Sequence, residues 1–158
     1  MATAGIVALA VAGCAIEPAS PEQQADRERK AASVVVFKLH MNKDLWDRTK
    51  AAAGFRMTKS IDQPKNLTEE PNGTVTVELT GPQMVDYLQI LDHNAHGGNN
   101  PQDASLATAV YDAIAPVVDT IESPLPATAP APEITINAGT SGAAPAPAAS
   151  TSTPVPTR

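Results

Sequence analysis

The sequence predicts a mostly α-helical fold with a minor β-strand or hairpin: a small helical domain followed by a disordered Pro/Ala-rich tail. Three observations lead there. Three segments, at about 22–53, 81–96 and 101–121, combine helix formers with apolar residues at three-, four- and seven-residue steps. Two-residue alternation marks Thr74–Leu79 and the shorter Glu133–Asn137 as strands. From Ser123 onward the chain turns to proline, alanine and threonine with almost no charge.

The chain has 158 residues, room for one domain. The first candidate helix starts near Pro21, a residue suited to the first helical position, with acids early and Arg48 and Lys50 late, before Gly54. Val35, Leu39, Trp46 and Ala53 share a face of it. Its weak point is Val34-Val35-Val36-Phe37, which equally suits a strand, and Asn42 or Asp44 is placed to cap a second helix there. Residues 56–74 read as irregular, with turns at Pro64, Pro71 and Asn72-Gly73. In the strand Thr74–Leu79, Val75, Val77 and Leu79 point one way. Thr80 and Gln83 then have capping-box spacing. Met84, Leu88, Leu91 and Ala95 form the next helical stripe, ended by Gly97-Gly98. Leu106, Val110, Ile114, Val117 and Ile121 form the last, with Pro116 expected to kink it, and a short connection makes these two helices a hairpin. About half of the fifteen prolines fall in 123–158, a segment too poor in apolar surface to offset its ordering entropy. Glu133–Asn137 is the exception, with Thr74–Leu79 as a possible pairing partner. Aromatic residues make up only 3%, so the few large rings, Trp46 among them, read as core anchors.

The formal net charge is −6, which repels phosphate backbones and argues against a nucleic-acid partner. The single cysteine excludes an internal disulfide and a zinc-type cysteine cluster. That cysteine closes the opening run MATAGIVALAVAGC, whose apolar stretch is about half the length a membrane-spanning helix needs. It fits the core of an export signal. Val11-Ala12-Gly13-Cys14 resembles the lipobox of bacterial lipoproteins, and the Ala-, Pro- and Thr-rich composition resembles small envelope lipoproteins of actinobacteria without an assigned activity. The resemblance implies a signal peptide at 1–13, cleavage between Gly13 and Cys14, and a diacylglycerol carrying palmitate-type chains on the Cys14 thiol. The departure is at the start: MATAG has no Lys or Arg, which a start codon upstream of Met1 would supply.

The implied organisation is a signal at 1–13, lipidated Cys14 and a tether at 14–21, a helical domain at 22–122 and a tail at 123–158. The expected location is the extracytoplasmic face of the cell membrane. The expected role is a non-enzymatic one, interaction with or support of an envelope protein or the cell wall, with no cofactor. The chemical alternative is a metal or small-ligand site on His93 and His96, three residues apart at a helix end, with Asp92 adjacent and His40 the only other histidine. The competing reading is a polar helix end, with histidines near its negative pole. An exclusion or immunity lipoprotein of a mobile element is a third possibility. Asp44 and Asp47 read as a solvated, salt-bridged face. Asn66-Leu67-Thr68 and Asn72-Gly73-Thr74 match the glycosylation triplet, which occurs often by chance. No phosphate-binding glycine loop or nucleophile turn is present.

Overall fold

The structure, a computed structural model, describes residues 20–53, 57–96, 101–122 and 129–137. Its elements in chain order are α1 (Gln24–Ala32), β1 (Phe37–Asn42), α2 (Lys43–Thr49), β2 (Ala51–Ala53), β3 (Thr58–Ser60), β4 (Asn66–Glu69), β5 (Thr74–Leu79), α3 (Gly81–His96), α4 (Pro101–Asp119) and β6 (Glu133–Thr135). With 48% of the described residues in helices and 24% in strands, this is a mixed α/β fold, not the mostly α fold expected from sequence.

The correction has an identifiable cause. The expected long helix breaks after Ala32, where three consecutive valines lose side-chain freedom in a helix. Phe37, Leu39 and Met41 then alternate with Lys38, His40 and Asn42, and as β1 they place all three apolar side chains on one buried face. The helix formers flanking this stretch had masked a strand. Asn42 is extended, and its side-chain oxygen accepts the Asp44 N–H at 2.8 Å, starting α2.

Four strands form one sheet in the order β4-β5-β1-β6. β4 and β1 both pair antiparallel with β5, while β6 joins the free side of β1 in parallel. Glu133–Thr135 therefore pairs with β1 and not with Thr74–Leu79, whose two edges are already taken by β4 and β1. Residues 129–137 thus extend the folded part of the chain past 122. The stretch expected to be irregular holds β3, which pairs with β2, and β4, an edge strand with every residue exposed. An exposed edge strand needs no apolar alternation, so β4 left no pattern to read.

One face of the sheet carries the core. Phe37, Leu39, Met41, Val75, Val77, Leu79 and Ile134 lie buried beneath α3 and α4. The opposite face presents Lys38, His40, Thr76, Glu78, Glu133 and Thr135, the usual half-solvated arrangement. Trp46 is buried, its ring 5.4 Å from that of Tyr87. The Thr80–Gln83 capping box forms as expected: the Thr80 N–H donates to Gln83 Oε1 at 3.0 Å, and the Gln83 N–H to Thr80 Oγ1 at 3.4 Å. α4 runs through Pro116 and ends three residues later. Its buried face includes Ala107, Val110, Ile114 and Val118, while Leu106 and Val117 sit at its margin.

Candidate functional site

A groove of about 800 Å³ opens where β1 and β6 end, between α2 and α4. β1 and β6 are the parallel pair, in register from Lys38 opposite Glu133 to His40 opposite Thr135, so their carboxyl ends finish side by side. The volume lies within the range of small-molecule sites.

Four stretches of chain build it. β1 contributes His40, Met41 and Asn42, and α2 contributes Asp44, Leu45 and Arg48. The turn between β4 and β5 supplies Glu70, β5 supplies its first residue, Thr74, α4 supplies Leu106, and β6 with its continuation supplies Thr135, Ile136 and Asn137. Met41, Leu45 and Ile136 are buried and Leu106 partly so, which makes an apolar floor. The polar groups surround it.

Local bonds fix those groups. The Ile136 N–H donates to the His40 carbonyl at 2.8 Å, locking the end of β6 to β1. His40 Nδ1 lies 3.0 Å from Thr76 Oγ1. The β4–β5 turn closes with the Gly73 N–H on the Glu70 carbonyl at 3.0 Å and the Glu70 N–H on the Thr74 carbonyl at 2.9 Å. Gly73 has φ of +80°, a conformation side chains disfavour. The Gly73 carbonyl accepts the Lys43 N–H at 3.0 Å, which joins the turn to the start of α2. Arg48 donates twice to Asp103 Oδ1, from Nε at 3.0 Å and Nη2 at 2.5 Å, and lies 3.7 Å from Asp44. The Asp103 bond raises the Arg48 pKa. The groove therefore holds two carboxylates and one guanidinium that Asp103 already engages.

The residues singled out by sequence fare differently. Asp92, at the end of α3, accepts hydrogen bonds from Ser20 Oγ and from His96 Nδ1, the latter at 2.8 Å. The neighbouring His93 buries Nε2 without a hydrogen-bond partner. Among the described residues no group of three His, Cys, Asp or Glu side chains is arranged to hold a metal. His40 stands on a different element, in the groove. Asp47 is bound by Lys43 at 2.6 Å and Lys50 at 2.7 Å, and these bonds, Lys43 first, hold its carboxyl below the usual range. Asp44 and Asp47 thus belong to an ion-paired helix face. Val11, Ala12, Gly13 and Cys14 lie outside the described residues.

Sequence reasoning did not assemble the groove. Its lining comes from positions between 40 and 137, and only the fold brings them together. The one available signal was Glu133–Asn137, whose alternation marked a strand inside the Pro/Ala segment. No helix among the described residues is long and apolar enough to cross a membrane. Comparison with protein-family models, with characterised proteins and with solved structures finds no match to this chain.

Proposed function

We propose that this chain is a lipid-anchored protein of the extracytoplasmic membrane face, acting as a binding module without catalysis. The observation that carries the anchor is Val11-Ala12-Gly13-Cys14 closing an N-terminal apolar run. Folded structure follows soon after, with Ser20 already bonded to Asp92. The binding role is supported by the groove at the carboxyl ends of the parallel strands, which has an apolar floor and a polar rim.

The anchor is tested by intact mass spectrometry and N-terminal peptide sequencing of the protein from native membranes. The expected mature chain begins at Cys14 and carries the mass of a diacylglycerol. Survival of Met1 or Ala2, with Cys14 as an unmodified thiol in the soluble fraction, overturns it.

A further inference from the structure

We propose that β4 pairs with β4 of a second copy of this chain, antiparallel and centred on Leu67, so that the sheets of the two copies join into one. The inference concerns the open edge of the sheet and uses neither the anchor nor the groove.

β4 is the edge strand beyond β5, and all of its residues are exposed. The ladder shows which backbone groups it leaves open. The Glu70 N–H donates to the Thr74 carbonyl at 2.9 Å, so Glu70 and Thr74 face each other as a hydrogen-bonded pair. Such pairs alternate along an antiparallel ladder, which makes Thr68–Thr76 and Asn66–Glu78 hydrogen-bonded pairs as well. Leu67 and Glu69 therefore turn their N–H and C=O groups away from β5, into the open edge. An open row of this kind is a template for another strand. Pro64 and Pro71 bracket it and confine a new ladder to the residues between them.

The side chains select the partner and the register. Two identical strands in one closed pair are related by a two-fold axis perpendicular to the sheet, which sets one residue opposite its own counterpart. The available centres are Asn66, Leu67, Thr68 and Glu69. Centring on Asn66 sets Lys65 against Leu67, centring on Thr68 sets Leu67 against Glu69, and centring on Glu69 sets that carboxylate against itself. Centring on Leu67 sets Leu67 against Leu67, Asn66 against Thr68, and Lys65 against Glu69 at both ends. This register alone matches apolar with apolar and opposite charges with each other, the pairs that stabilise neighbouring strands. Each of these groups has something to gain. Leu67 lies opposite Val77, on the helix-covered side, yet is 36% exposed, one of two exposed large hydrophobics among the described residues. Lys65 is exposed and makes no ion pair among the described residues. Glu69 has only Lys43, at 3.6 Å. So short an edge is small against the roughly 1,200 Å² of a stable interface, so the pairing is concentration-dependent.

α3 turns back directly from β5, so Ser20, bonded to Asp92 near the close of α3, lies toward the Glu69 end of β4. Antiparallel pairing points these ends of the two copies in opposite directions. Chains standing upright on lipidated links therefore pair across two facing membrane surfaces, and unacylated chains pair in solution.

Sedimentation equilibrium of the full-length chain bearing Cys14→Ser, which cannot be acylated, tests the pairing. Lys65→Glu and Glu69→Lys alter exposed side chains, and circular dichroism checks that both variants fold. The parent is expected to show a monomer–dimer equilibrium. Either reversal alone sets like charges together at both ends of the ladder and should weaken dimerisation about tenfold. An equimolar mixture of the two variants should regain the parent's affinity, because every reversed charge then faces its opposite. So should the double variant Lys65→Glu, Glu69→Lys. A parent that stays monomeric up to about 1 mM overturns the proposal. Dimerisation that neither reversal weakens shows that the copies meet elsewhere and overturns it too. A mixture no stronger than the single variants overturns the register centred on Leu67.

Discussion

The Tyr87 hydroxyl is fully buried and, among the described residues, has one partner, Thr49 Oγ1 at 2.7 Å. The direction of that bond follows from Thr49, whose hydroxyl also lies 2.7 Å from the Leu45 carbonyl. A carbonyl only accepts, so Thr49 donates to Leu45 and Tyr87 donates to Thr49. Burial accordingly pushes the Tyr87 phenol well above its ordinary pKa. Tyr87→Phe deletes the donor and leaves Thr49 satisfied by Leu45, a loss of about 1 kcal/mol. Thr49→Val strands a buried O–H with no acceptor and costs more, about 1–3 kcal/mol. Urea unfolding of the two variants checks the order, and a larger loss in Tyr87→Phe overturns the assigned direction. A second residue contributes to the pH dependence of stability. Arg27 binds Asp119 through Nε at 2.9 Å and Nη2 at 2.7 Å, and this holds the Asp119 carboxyl below the usual carboxylate range. A carboxyl depressed in the folded state contributes stability that is fully present above its unfolded pKa. That contribution is lost as pH falls through the folded value. Stability should therefore drop below about pH 4, and Asp119→Asn should be less stable than the parent at pH 6 yet lose less between pH 6 and pH 3. Thermal melts at the two pH values measure it, and parallel losses in both proteins would refute the assignment.

At the scale of elements, α3 begins where it does because Gly81 lets two backbones touch. A Cβ built on Gly81 would stand 2.5 Å from the Val34 carbonyl oxygen, 2.7 Å from that of Ala31 and 2.8 Å from that of Ala32. These are backbone atoms at the end of α1, and they cannot swing aside as a side chain would. Replacing a helical glycine by alanine normally gains about 0.5–1 kcal/mol. Here Gly81→Ala should instead destabilise by about 1–3 kcal/mol, the cost of overpacking a tight contact. A lower urea midpoint with unchanged slope is the expected result, and a raised midpoint would show that α1 and α3 do not meet at Gly81. The capping box at Thr80 and Gln83, the strand at Thr74–Leu79 and both later helices were legible in sequence because each is specified locally. β1 was not, since its apolar residues at 37, 39 and 41 sit between helix-forming neighbours and one of them, Leu39, also satisfies a helical step. β4 carries no buried side chain, so its existence depends on the backbone groups of β5 and not on its own composition. The groove inherits both difficulties, because β1, the β4–β5 turn and the end of β6 supply most of its lining.

For the whole molecule, β6 matters because a late segment completes the sheet. Ile134 and Ile136 are both buried, so the Pro/Ala-rich composition around them concealed a piece of core. Its pairing with β1 also fixes which end of the domain holds the groove. The same end receives the N-terminal link. Ser20 bonds Asp92 near the close of α3, and Asn94, two residues on, bonds the Ala51 carbonyl at 2.9 Å just beyond α2. The opposite end of α3 is marked by Gln83, whose amide donates to the Gln63 carbonyl at 2.7 Å. Six residue steps from Cys14 to Ser20 reach at most about 20 Å. With Cys14 acylated as proposed, the Ala51 end is held close to the bilayer. Eleven residue steps of α3, about 16 Å of helix, separate Gln83 from Asn94, so with α3 upright on the link the Gln63 end stands farther out. Fluorophores placed singly by Ala51→Cys and Gln63→Cys, on lipidated protein in vesicles with spin-labelled headgroups, should report this. Quenching should be stronger at position 51 than at 63, and equal with vesicles that lack the spin label. Equal quenching on labelled vesicles, or stronger quenching at 63, would mean that the link does not orient the domain. The groove would then have no fixed relation to the membrane beneath it.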